Sequence, residues 1–252
     1  MPRSLVLGNG AFSVCLDEHG YVRDMYYPYV GLENHVIGKK HRIGVMVDGM
    51  YSWIDDGSWE INIGYKPETM IGQLVCKNNK LQLSIVMEDA VYNEHNVFLR
   101  QVDIYNQTDQ PREVRIFFGQ EFRISENKTR NTGFYDPTHA TVVHYKGCRV
   151  FVVDGRTSAG TGIDDYTIGM FDYEGKEGSY RDAEDGVLSR NAVEHGSVDS
   201  VVRFSLVCEP KIKNQLFYWI SAAQTLEEAF ALNDLVLFKK PENMIHSTEQ
   251  FW

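Results

Sequence analysis

Apolar residues recur at every second position through most of this chain. Leu81, Leu83, Ile85 and Met87 alternate with Lys80, Gln82, Ser84 and Glu88. Val114, Ile116 and Phe118 alternate with Glu113, Arg115 and Phe117, and Val202, Phe204, Leu206 and Cys208 with Val201, Arg203, Ser205 and Val207. Successive side chains of a strand point to opposite faces, so each run predicts a half-buried strand with one face in a core and the other wetter, though often still partly apolar. Short turn signals separate the runs: His19-Gly20, Asp48-Gly49, Lys77-Asn78-Asn79, Asn106–Pro111 and Lys146-Gly147. Asp-Gly favours the left-handed backbone of tight hairpins. The pattern predicts an all-β chain, an antiparallel meander of more than ten strands arranged as two large sheets packed face to face.

Two segments interrupt the alternation. Ile124–Pro137 is polar and reads as a long loop ending in Gly133-Phe134-Tyr135-Asp136-Pro137; Tyr173–Gly196 is rich in Gly, Asp and Glu. Long loops on a rigid scaffold are where functional contacts concentrate. Near the end the period becomes helical. Thr225-Leu226-Glu227-Glu228 is a capping box, and Leu226, Ala229, Phe230, Val236 and Leu237 form one apolar stripe, interrupted by Asn233. Asn233 is expected to bond a neighbouring backbone or face a partner. After Lys239-Lys240-Pro241 a polar tail runs to Phe251-Trp252, which looks like the start of another apolar element. The expected division is a sandwich over 1–222, then one late α-helix and a linker over 223–252.

Composition narrows the function. The 252 residues are 43% hydrophobic and 24% charged, enough to build a core without disulfides or metal. A net charge of −10 with no basic cluster argues against nucleic acid and against an anionic membrane surface. No apolar run reaches the ~18 residues of a membrane span, and the first residues lack signal-peptide features. Cys15, Cys76, Cys148 and Cys208 lie far apart with no Cys-x-x-Cys pair, as expected for buried reduced thiols in a cytoplasmic protein. The sequons at Asn106 and Asn127 carry no meaning in that compartment.

Motifs for chemistry are scarce. Gly8-Asn9-Gly10 is followed by Ser13 where a dinucleotide fingerprint needs glycine, and there is no Walker loop, zinc-protease motif, EF-hand loop or nucleophile elbow. The eight histidines are dispersed along the chain. Neither a metal nor another cofactor is expected. Asp55-Asp56, Glu88-Asp89, Asp164-Asp165, Asp182, Glu184 and Asp185 supply carboxylates, but adjacent acids are usually solvated turn residues, and Asp182–Asp185 lacks EF-hand spacing. Tyr26, Tyr27, Tyr29, Trp53, Trp59, Tyr218 and Trp219 are candidates for stacking on sugar rings, although sheets are rich in aromatics anyway.

A series of segments resembles the opening of bacterial and archaeal glucoamylases, glycoside hydrolases of family 15, which include glucodextranases and some trehalases. It runs from Leu5-Val6-Leu7-Gly8-Asn9-Gly10 through Asp24-Met25-Tyr26-Tyr27-Pro28, Trp53-Ile54-Asp55-Asp56-Gly57-Ser58-Trp59, Phe134-Tyr135-Asp136-Pro137 and Arg181-Asp182-Ala183-Glu184-Asp185-Gly186 to Tyr218-Trp219-Ile220, in order. The resemblance implies an amino-terminal antiparallel supersandwich, similar to the galactose mutarotase fold, followed in the family by a linker and an (α/α)6 barrel that carries both catalytic glutamates. No residue here matches the catalytic motif, so none is carried over. The expectation is a non-catalytic sandwich domain that packs on and stabilises the barrel of an α-glucan or α-glucoside hydrolase. Phe134, Tyr135 and Asp136 are its candidate cleft-rim or interdomain residues. Two rivals stand beside it: a free-standing carbohydrate-binding sandwich using exposed Tyr and Trp, and a mutarotase-type enzyme with a cleft His near a carboxylate.

Overall fold

The computed structural model describes residues 3–252. In chain order the strands are β1 (Leu5–Gly8), β2 (Ser13–Leu16), β3 (Val22–Tyr26), β4 (Arg42–Val47), β5 (Met50–Trp53), β6 (Glu60–Tyr65), β7 (Gly72–Asn78), β8 (Leu83–Val91) and β9 (Val97–Asn106). They continue as β10 (Arg112–Glu121), β11 (Asn131–Asp136), β12 (Thr141–Lys146), β13 (Arg149–Thr157), β14 (Asp165–Met170), β15 (Val193–Gly196), β16 (Val198–Cys208) and β17 (Lys213–Ala223). Two helices follow, α1 (Leu226–Lys239) and α2 (Pro241–Phe251).

The strands form a large nine-stranded sheet ordered β15-β11-β12-β13-β17-β9-β8-β7-β6, an opposing five-stranded sheet ordered β14-β16-β10-β4-β5, and a short sheet β1-β2-β3. Every ladder within them is antiparallel, as the alternation predicts. In β16, Val202, Phe204 and Cys208 face the main core while Val207 is 66% exposed. In β10, Val114, Ile116 and Phe118 face the same core; Phe117 points the other way, yet is buried beneath Ala183 and Leu188.

The large sheet is apolar on both faces. In β17, Leu216, Tyr218, Ile220 and Ala222 enter the sandwich, while Phe217 and Trp219 enter a second cluster with Leu99, Val236, Met244 and Ile245 beneath the helices. The helices are therefore the third layer, and the expected polar tail is instead a helix. Pro241 opens α2 because its missing N–H is not needed in a first turn. α2 inserts Met244, Ile245 and Thr248 against the sheet, with Phe251 and Trp252 left 61% and 52% exposed. Thr225 caps α1, its side chain accepting from Glu228 N, as the capping box predicts.

Asn233 neither bonds backbone nor faces outward. Its Oδ1 accepts from Trp219 Nε1 at 2.8 Å and its Nδ2 donates to Asp154 at 3.3 Å, all three side chains buried. It thus supplies the polar partner that the indole N–H needs under an apolar helix. Burial pushes the Asp154 carboxyl up to about 6, against the opposing pull of Arg156. Within the sandwich a second polar unit is the Asp89–Arg100 pair. Nε and Nη2 donate to the two carboxylate oxygens at 2.7 Å, and Nη2 also donates to Gly20 O at 2.8 Å, tying the β2–β3 turn to the large sheet.

Replacing Asn233 by alanine strands the Trp219 N–H and removes a partner of Asp154. Asn233→Ala is expected to lower unfolding free energy by about 2 kcal/mol. Adding Trp219→Phe should cost less than the sum of the two single changes, read from urea denaturation as a double-mutant cycle.

Candidate functional site

Phe134, Tyr135 and Asp136 lie in a strand, which corrects the expected long loop: only the segment up to Arg130 is irregular, and Asn131–Asp136 is β11, paired with β12 and β15. Alternation then separates the two rings. Phe134 packs edge-on to Tyr145 on the helix side, whereas Tyr135 stacks face to face on Tyr166, centroids 3.9 Å apart, on the sandwich side. Asp136 accepts from His139 N at 2.9 Å and contacts its Nδ1 at 2.5 Å, closing the turn into β12, and the His139 ring stacks on Phe230 of α1 at 4.0 Å. The three residues anchor a sheet edge and a helix, and the geometry does not gather them on one rim.

The acidic pairs resolve into structural contacts. Asp55 accepts from Tyr21 and Lys40, Asp56 from Ser52 and Ser58 N, and Asp165 from Arg190 and Leu188 N; Asp89 holds Arg100. Of the aromatic candidates, Trp59, Trp219, Tyr218 and Tyr27 are buried, while Tyr29 is 60% exposed. No exposed row of rings arises from them.

Two concavities lie on the outer face of the opposing sheet. The segment Tyr173–Gly196 folds over this face, with a 3-10 turn at Ser179–Asp185 seated on β10 and β16 by Ala183 and Leu188. A groove of about 540 Å³ runs between this turn and β14, lined by Thr167, Asp182, Ser189, Asn191 and Glu194. A second, of about 350 Å³, lies on the other side of Tyr180 and is lined by Arg23, Lys39, Lys40, Arg42 and Glu177. The cations of the second groove are paired: Arg23 with Asp17, Lys39 with Asp172, Lys40 with Asp55, and Arg42 with Glu121. Arg42 also lies over the Tyr180 ring at 4.3 Å, so that ring face is occupied.

Between the grooves, Glu121 and Asp199 are direct cross-strand partners, 7% and 2% exposed. Sequence reasoning missed this carboxylate pair because its members are 78 positions apart, and nothing in the alternation shows that the outward face of these strands is covered. Glu121 accepts from Arg42 and Lys40 N; Asp199 accepts from Ser179 N at 2.6 Å and Ser179 Oγ at 2.8 Å. Burial first, opposed by the Ser179 bonds and reinforced by the Glu121 charge, pushes the Asp199 carboxyl up to about 7. Both Asp199 oxygens are engaged in holding the turn. The pair is suited to a proton-dependent clasp more than to attack on a substrate.

Comparison with known proteins matches this architecture. No family model matches the chain. It is 27% identical over 207 residues to the uncharacterised glycosyl hydrolase MJ1610 of Methanocaldococcus jannaschii, covering 82% of this chain and 32% of that protein. A bacterial glucoamylase solved with acarbose superposes with a TM-score of 0.73 at 12% identity, over 99% of this chain and 37% of the other. The chain thus shares the sandwich fold of that structure and is similar in sequence to about a third of a glycosyl hydrolase. A human-microbiome protein named as a kojibiose phosphorylase superposes with a TM-score of 0.59 at 9% identity, over 99% of this chain and 35% of that one. The sandwich thus spans about a third of the length of the relatives it matches.

The Asp199 clasp has a pH signature. Its folded carboxyl titrates above the unfolded value of 3.8, so its contribution to stability is greatest below about pH 4 and declines as pH rises toward about 7. Asp199→Asn removes that decline. The difference in denaturation midpoint between variant and parent should shift in the variant's favour as pH rises from 4 to 7.

Proposed function

We propose that this chain is the non-catalytic amino-terminal sandwich of a family 15 α-glucan or α-glucoside hydrolase. Its part would be to pack on and stabilise an (α/α)6 catalytic barrel in cis, in the cytoplasm. The observation that carries the reading is the superposition on the whole of this chain but on only 37% of the glucoamylase, so that the shared part is one complete sandwich. The ordered family-like segments support family 15 in particular, and the relation to a glycosyl hydrolase supports the hydrolase parent. On this reading residues 1–222 are the sandwich and 223–252 lead toward the barrel. Phe238, 85% exposed at the end of α1, and Phe251 and Trp252 at the end of α2 offer apolar surface to such a partner. Chemistry would belong to the barrel, because the carboxylates of this chain described above are engaged by cations, hydroxyls or backbone N–H groups.

Two measurements test the reading. The coding sequence downstream of Trp252 should continue in frame into a helical barrel; an immediate stop codon would sink the cis-barrel reading. The purified 252-residue chain should release no glucose from maltose, isomaltose, trehalose or starch. Release that persists through purification and disappears on changing Glu121 or Asp199 would overturn it.

A further inference from the structure

The eight histidines, dispersed in sequence, include three that converge inside one end of the sandwich. His35 and His144 are 0% exposed and His41 is 5% exposed. The Phe122 ring lies 4.8 Å from the His41 ring and 4.7 Å from His144, and Phe151 lies 4.9 Å from both Phe122 and His35. His144 Nε2 contacts Ser200 Oγ at 2.7 Å; its Nδ1 and both His41 nitrogens have no hydrogen-bond partner among the described residues. Burial holds His41 and His144 down to about 3.

His35 differs because both ring nitrogens are engaged, and by groups that dictate its protonation. Nε2 lies 2.6 Å from the Tyr27 carbonyl, which can only accept; Nδ1 lies 3.0 Å from the Ser125 backbone N–H, which can only donate. The ring is therefore the neutral tautomer with its proton on Nε2. The imidazole joins two surface segments, which are also linked by Ser125 Oγ donating to Glu33 at 2.9 Å and by Glu126 N donating to Asn34 O at 3.2 Å. The loop Tyr27–Glu33 turns through Leu32 N to Tyr29 O and projects Tyr29, Val30 and Leu32, which are 60%, 44% and 80% exposed. The facing 3-10 turn, Ile124–Glu126, carries Ser125 and Glu126 in the left-handed region, φ 53° and 57°, a conformation that costs non-glycine residues about 1 kcal/mol each.

We propose that His35 is a proton-operated latch: neutral, it holds the Ser125 N–H of the turn Ile124–Glu126 against the ring that also engages the Tyr27 carbonyl, and a proton on Nδ1 releases that N–H. Protonation puts an N–H against the Ser125 N–H, so the bond is replaced by repulsion and the strained turn is free to relax. The charged groups facing the ring come from each packed segment. Glu33, 4.0 Å from Nε2, and Glu126 favour the proton; Arg149 opposes it, but its Nε and Nη2 already hold Glu33 at 2.7 and 2.8 Å. Burial outweighs these charges and lowers the His35 imidazole to about 4. The sign follows: the closed latch binds fewer protons than the open one, so it weakens as pH falls from the ordinary histidine value toward 4.

The test is amide hydrogen exchange at Ser125, corrected for intrinsic rates, between pH 6.5 and 4. Protection should fall by close to tenfold per pH unit in mid-range, about 80-fold over the whole window, for a group moving from 6.5 to about 4. Leu99 and Ile220 in the core strands should not share that slope. In His35→Gln, whose amide can donate to Tyr27 and accept from Ser125 without titrating, Ser125 protection should be flat. A flat profile in the parent, the same slope in the variant, or the same slope in the core amides would overturn the latch. If the variant does not fold, imidazole nitrogen shifts of the parent decide: a proton on Nδ1 near neutral pH, or titration near 6.5, rejects it.

Discussion

A sheet with apolar side chains on both faces cannot leave either face to water, and the rest of this molecule follows from that constraint. Tyr218 and Trp219 are neighbours in β17 and point to opposite sides, yet they are 3% and 0% exposed. One side is met by the opposing sheet, and the other by α1 and α2. Burying an aromatic side chain contributes on the order of 2 kcal/mol or more. The helices are therefore part of the sandwich's own core, whatever else they connect to. The indole N–H and the Asp154 carboxylate would be stranded there without Asn233, so the one polar residue in the helix stripe is what makes the apolar layer tolerable.

The opposing sheet meets the same demand with less material. Its outer face is covered only by the 3-10 turn and the chain around it, held by Ala183 and Leu188 and by two bonds from Ser179 to Asp199. The grooves on either side of that cover are polar and laced with ion pairs. At the end of the sandwich His35 performs a similar clasping task, with a neutral ring in place of a carboxyl. Two surface segments are thus held through buried titratable groups whose preferred state at neutral pH is set by burial.

Phe238 is 85% exposed on the helical layer that packs on β13 and β17. The opposite layer carries the ion pairs of Arg42 and Lys40, and Val207 of β16 there is 66% exposed.

Strand alternation, the Asp-Gly and Lys-Gly turns and the Thr225 capping box were legible in the sequence, because each is decided by neighbours a few residues apart. The inward sets of β10 and β16 could be read directly from period two. The family resemblance was legible for the same reason, through short segments in order. What the sequence could not show was which outward faces are covered. Phe134 and Tyr135 read as a loop because Gly133 and Asn131 weaken strand propensity, and pairing with β12 and β15 overrode it. The tail after Pro241 read as polar because half its residues face water, while Met244 and Ile245 gain their burial only from the sheet beneath. Glu121 with Asp199, and His35 with Ser125, are separated by 78 and 90 positions, and only the tertiary structure brings them together. Local spacing determines an element. The partner, the burial and the protonation state of a side chain depend on long-range packing, which that spacing does not encode.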